Sequence, residues 1–140
     1  MKTILLIAHL IAIATGTGLS IANYVNIRIT ANEKGDRRAA LVYLRRQLAA
    51  FADLVIAMIW ITGLALWWSL PPEVTPNSWI FVLLAFAVLM TVCHGLARMT
   101  GGHMVRSGDD SLYTRLEMLV SGVWMSMLAA IIFAVLAFEK

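Results

Sequence analysis

The sequence predicts an all-α membrane protein, with four transmembrane helices in an antiparallel bundle. Three observations point there. Of 140 residues, 61% are hydrophobic and 14% charged, where a soluble domain averages about 45–50% and about 25%. Apolar runs recur at about 4–29, 47–70, 79–98 and 115–138, each at or beyond the roughly 20 residues a helix needs to cross a bilayer. Most charge gathers between those runs or at their ends. The chain reads as one domain, 1–140, without an internal repeat.

The first run, Ile4 to Ile29, organises the rest. Ala8, Ala12, Gly16 and Ser20 follow at four-residue spacing, with Gly18 nearby. At about 100° per residue, His9, Ala12, Gly16, Ser20 and Asn23 share one helix face. Small residues let a second helix approach closely in lipid, where packing drives association. A histidine inside an apolar run marks a functional candidate. Ala12-Ile13-Ala14 has the look of a signal-peptide cleavage site, but the run is longer than a signal segment and reads as a true span. It turns polar at Asn23 and Asn26 and basic at Arg28.

Residues 30–46 form a basic loop with Lys34, Arg37, Arg38, Arg45 and Arg46, opposed by Glu33 and Asp36. Asp36 is a candidate cap for a helix beginning at Arg37, ahead of the membrane. The second span, 47–70, carries Asp53, then Thr62-Gly63, and ends on Trp67 and Trp68, which suit a membrane interface. Pro71 and Pro72 stop it. The linker Pro71–Ser78 has no basic residue. Asn77 or Ser78 caps the third span, 79–98, which opens on Trp79 and ends with Cys93, His94 and Arg98. Met99–Leu112 reads as a loop holding Gly101, Gly102 and His103. Asp110 or Ser111 caps the fourth span, which runs to about Phe138 with Glu117 near its start.

Counting Arg28, the first loop has six basic residues; Arg98, Arg106 and Arg115 flank the third loop, and the middle linker has none. The positive-inside rule then puts the first and third loops in the cytoplasm and both termini outside, in the periplasm. Lys2 and Lys140 lean the other way with one charge each.

At about 1.5 Å per residue, Asn23, Asp53, His94 and Glu117 fall within roughly 10 Å of depth on the cytoplasmic side. They form a candidate polar cluster, with Asp53 and His94 as its core pair. A carboxylate beside a histidine orients the ring and suits a proton relay, or support of a metal-bound histidine. A buried hydrogen bond that fixes helix packing is the plainer reading of the same pair. His9 lies near the external end, where no metal ligand matches its depth. His94 is about 15 Å deeper, so one haem taking both as axial ligands is disfavoured. A neutral histidine bonded in a helix interface is the plainer reading of His9, and its shared face with Gly16 and Ser20 fits that. Cys93 reads as simply buried, and one cysteine makes no disulfide or CxxC site. The methionines are scattered and read as filler. No metal set is expected. The net charge of +3 gives no sign of nucleic acid binding, and no soluble-enzyme motif assigns a catalytic residue.

With these residues in view, the chain resembles the small four-helix bacterial membrane proteins of the HemJ and CopD kind, and a related group without assigned function. The resemblance rests on His9 followed nine positions later by Gly18, on Arg45-Arg46 leading into the second helix, on Thr62-Gly63-Leu64-Ala65-Leu66, and on His94 before a basic residue. It implies haem or porphyrin handling if the chain is HemJ-like, copper import if CopD-like, and residence in the bacterial inner membrane. Two readings of different class stand. One is a haem- or porphyrin-associated protein using His9 or His94, with haem b as the implied cofactor. The other is a non-catalytic accessory subunit, packed against other membrane proteins or a second copy of itself within the lipid bilayer.

Overall fold

The computed structural model describes residues 2–71, 73–74 and 76–138. It holds four helices: α1 (Lys2–Asn32), α2 (Gly35–Trp68), α3 (Trp79–Ser107) and α4 (Leu112–Phe138). Each is long and apolar enough to cross a membrane.

All four helices run past the apolar limits expected from sequence, α2 and α3 by the most. α2 begins at Gly35 rather than at 47. Residues 37–46 are rich in Ala, Leu and Arg, all strong helix formers, so the helix continues once the chain leaves an apolar setting. Arg37 pairs with Glu33 at 3.3 Å. Asp36 lies in the first turn of α2, where a negative charge complements the helix dipole. It is not the cap: that position belongs to Lys34, whose side chain makes no capping bond. α3 continues to Ser107 rather than stopping at 98, so Gly101, Gly102 and His103 are helical and not in a loop. Glycine in a helix interior costs about 1 kcal/mol. The surrounding helix outweighs that cost, and a Cβ at Gly101 would make only ordinary contacts, 3.7 Å from Arg45 Nη2 and 3.9 Å from Leu116 Cδ1. The helix ends where Gly108 takes φ 67° and its N–H donates to Met104 O at 2.9 Å, a left-handed termination that glycine permits.

The other ends use local polar groups. The Trp79 N–H donates to Asn77 Oδ1 at 3.0 Å, so Asn77 caps α3 and Ser78 makes no side-chain cap. At α4 the turn is made by Asp109, whose Oδ1 accepts from the Ser111 N–H at 2.9 Å. The expected caps, Asp110 and Ser111, do other work: the Asp110 carboxylate is held by Arg38. α2 closes at Trp68 with the Ser69 N–H donating to Ala65 O at 3.1 Å. Pro72, Glu139 and Lys140 lie outside the described residues.

α1 packs against α2 and α4, and α3 packs against α4, while the backbones of α2 and α3 stand further apart. The small-residue face of α1 points inward: Ala12, Gly16 and Ser20 are buried. Three helices meet at Gly16, where a Cβ would lie 3.0 Å from Met127 Cε and 3.2 Å from Val55 Cγ1. Beside it, the Thr17 hydroxyl contacts Met127 Sδ at 2.9 Å. α3 and α4 come together where Gly122 faces Cys93, the thiol being 3.0 Å from where a Cβ would sit. Phe133 stacks between Trp79 and Phe86 at 5.3 and 5.5 Å. The buried core is thin and falls into two clusters, one around Ile27, Met104, Tyr113 and Leu116, the other around Ile56, Met90, Val123 and Met127. Most large apolar side chains face out instead. Phe81 and Ile4 are each 73% exposed and Met118 70%. An apolar surface of this extent suits lipid rather than water.

Candidate functional site

The gap between α2 and α3 is spanned by long polar side chains. His94 and Arg98 sit four residues apart on α3 and so face the same way. Both reach one carboxylate on α2. His94 Nε2 is 2.6 Å from Asp53 Oδ1, and Arg98 Nη2 is 3.2 Å from Asp53 Oδ2. Two turns along the same seam, Trp60 Nε1–H donates to Thr91 Oγ1 at 3.0 Å. The structure therefore brings Asp53 and His94 together and adds Arg98, which sequence reasoning treated only as a topological charge. Both oxygens of Asp53 are engaged, and the contact joins two helices whose backbones stand apart.

The other members of the expected cluster divide. Asn23 lines the same cavity as His94. Glu117 does not join them: its carboxylate pairs with Arg28 Nε at 3.4 Å, because α4 lies against α1 and presents Glu117 to that helix. His103 is exposed near the end of α3, with Ser107 Oγ 3.4 Å from its Nδ1.

His9 is placed by the seam between α1 and α2. Its Nδ1 lies 2.7 Å from Thr62 Oγ1. The Thr62 hydroxyl donates its own proton to Met58 O at 2.6 Å, so its oxygen is left to accept from His9. That assigns the proton to Nδ1 and the lone pair to Nε2. Gly63 makes room for the ring: a Cβ there would come within 3.1 Å of His9 Cε1. An imidazole held through Nδ1–H is how a metal-ligating histidine is usually oriented, and it is equally a hydrogen bond that fixes the α1–α2 seam. His94 fits a metal less well, because its Nε2 is committed to Asp53. The two histidines meet α2 at Thr62 and Asp53, nine positions apart, or about 13.5 Å along the helix. One iron cannot take both. Among the described residues no three His, Cys, Asp or Glu side chains gather as a metal set.

Beside the Asp53–His94 pair lies a cavity of about 430 Å³, reached by residues of all four helices, including Asn23, Arg45, Arg46, His94, Arg98 and Gly101. Sequence reasoning assigned Arg45 to a basic loop. It is instead helical and 5% exposed. A signal for this existed, since Arg38, Arg45 and Asp53 recur at seven- and eight-residue spacing and so share one helix face. The signal was masked by reading the helix as starting at 47.

Beyond the helices, the loop before α4 carries two exposed carboxylates. Hydrogen bonds from the Ser111 side chain and backbone hold Asp109 below the usual carboxylate range. Hydrogen bonds from Arg38 do the same for Asp110. Compared with known protein families, curated proteins and solved structures, the chain matches none of them.

Proposed function

We propose that this chain is a multi-pass protein of the bacterial inner membrane that associates with haem or a porphyrin through His9. The arrangement proposed is an antiparallel bundle with both termini on the external side and the basic loops in the cytoplasm. One observation carries the cofactor reading. His9 has its Nδ1 proton directed to Thr62 Oγ1 at 2.7 Å, which puts the lone pair on Nε2. This is the ligand-ready form of the ring, on a residue type that marks a functional candidate within an apolar span. The layout resemblance to HemJ-like proteins points the same way. When bound, haem iron would supply one-electron chemistry. The chain's own part is to hold His9, through Thr62 and the space left by Gly63, and to keep Asp53, His94 and Arg98 as a separate polar contact about 13.5 Å away.

The test is the optical spectrum of the protein purified gently from its native membrane, oxidised and then reduced with dithionite. The expected result is a Soret band with sharp reduced α and β bands. His9→Ala should abolish it and His94→Ala should leave it. Thr62→Val removes the acceptor that orients the ring and should weaken retention about 10–100-fold. A colourless protein would remove the haem reading and leave that of a non-catalytic accessory subunit.

A further inference from the structure

Arg45 presents a separate problem. Its side chain is 95% withdrawn from solvent, with 5% relative exposure, yet its Nη1 has no hydrogen-bond partner. Among the described residues, Arg28, Arg37, Arg38 and Arg98 all pair with carboxylates, and Arg45 does not. An ionised group taken out of water is costly unless paired, and arginine does not escape by losing its proton. The phenol of Tyr113 lies within reach of its guanidinium. That phenol can accept one N–H, but being neutral it brings no counter-charge.

The cavity that Arg45 lines supplies the rest of a site. Arg46 and Arg98 also line it, and so does His94. The one carboxylate at its edge, Asp53, is already engaged by His94 and Arg98. Three arginines against one carboxylate leave an excess of two positive charges. Asn23 faces the same space with a buried Oδ1 that has no partner. Half a turn of its amide would put an N–H₂ donor there instead, a choice that oxygen and nitrogen positions alone do not distinguish. Gly101 forms part of the wall, with Arg45 Nη2 3.7 Å from where a Cβ would sit. The cavity is open on one side and lies at the end of the bundle where the basic residues gather. Its volume of about 430 Å³ falls within the range of small-molecule sites, about 300–1,000 Å³.

We propose that this cavity is an anion site that binds a phosphate group, with Arg45 as its anchoring donor, Arg46 and Arg98 as supporting charge, and Asn23 as a neutral donor. A guanidinium matches phosphate oxygens in a bidentate fork. An excess of two charges suits a phosphodiester or a monoester better than a neutral polar ligand. Two sources carry this chemistry, the headgroup of an anionic phospholipid and a soluble phosphate or phosphoester. The site is about 25 Å along α2 from the Thr62 level, so it stands or falls independently of the role of His9.

The experiment uses the intact protein in two arms. In the first, nanodiscs of phosphatidylcholine alone are compared with nanodiscs containing one third phosphatidylglycerol, and the lipids retained after transfer to detergent are counted by native mass spectrometry. In the second, detergent-purified protein is titrated with inorganic phosphate and with glycerol phosphate, followed by the intensity of ¹H–¹⁵N signals of arginine side chains. At least tenfold preferential retention of phosphatidylglycerol, lost in Arg45→Gln and reduced in Asn23→Leu, assigns the site to lipid. Saturable binding of inorganic or glycerol phosphate with the same dependence on Arg45 assigns it to a soluble ligand. Should Arg45→Gln not fold, Asn23→Leu and Arg46→Gln carry the comparison, each expected to weaken binding at least threefold. Equal retention of both lipids together with no saturable phosphate binding, or binding indifferent to all three substitutions, overturns the proposal.

Discussion

At the scale of single residues, the informative groups are polar ones whose partners lie on another helix. Asp53 ties two α3 side chains to α2 at 2.6 and 3.2 Å. Because the α2 and α3 backbones stand apart, these contacts do a share of the joining that close packing does elsewhere. Asp53→Ala and His94→Ala should therefore each destabilise the bundle, and the double mutant should fall short of their sum. The coupling expected between polar groups on membrane helices is about 0.6 kcal/mol. A double-mutant cycle by reversible unfolding in mixed micelles measures it, and zero coupling would mean the contact contributes nothing. Asp110 permits a pH prediction. Its folded-state pKa lies below the ordinary value because Arg38 donates to it. The stabilisation is thus fully present above the unfolded value of about 3.9 and is lost as pH falls through the lower folded value. Amide protection at Leu112 and Tyr113, corrected for intrinsic exchange, should be level from pH 7 to 5 and fall in more acid solution. Asp110→Asn should show the lowered protection already at pH 7. Identical protection in both proteins at pH 7 would dismiss the pair.

At the scale of the helix, small residues decide where neighbours come close. Gly16 is the meeting point of α1, α2 and α4. A methyl there encounters Met127 Cε at 3.0 Å, the free end of a flexible side chain, and Val55 Cγ1 at 3.2 Å, which is stiffer. Gly16→Ala should be near neutral, since the helix gains about 1 kcal/mol of propensity and Met127 can give way. Gly16→Leu overfills the joint and should cost about 1–3 kcal/mol, read as a lower unfolding midpoint in detergent. Gly63→Ala is more selective, because its methyl would push on the His9 ring at 3.1 Å. It should disturb whatever depends on His9 while leaving the fold intact. The element ends teach a related point. Gly101-Gly102 signals a break by composition, yet α3 passes through it to Ser107. The break comes at Gly108, where the backbone takes a left-handed conformation.

At the scale of the whole molecule, the buried core is thin and the outer surface apolar, the reverse of a soluble domain. Lipid solvates the outside, and the inside is left to small residues, two apolar clusters and a polar seam. The proposed topology has a direct check. In a Cys93→Ala background, Ser107→Cys should react with a membrane-impermeant maleimide only from the cytoplasmic side and Glu73→Cys only from the external side. The opposite pattern would invert the orientation. This scale also separates what pattern could give from what it could not. Four runs of apolar residues foretold four membrane-length helices, since in lipid each backbone group must be satisfied within its own helix and a span needs a set length. The inward turn of Ala12, Gly16 and Ser20 followed from the same one-dimensional logic. Depth along the membrane was legible too, as a count of residues, and it kept His9 apart from His94. Rotation and neighbourhood were not legible. Whether Glu117 faces His94 or Arg28 depends on which helix lies beside α4 and at what phase. Whether Arg45 is a solvated loop charge or a buried cation in a cavity depends on where α3 ends and on Gly101 packing over it. Those outcomes arise from contacts between segments far apart in the chain, and a residue's own neighbours in sequence carry no record of them.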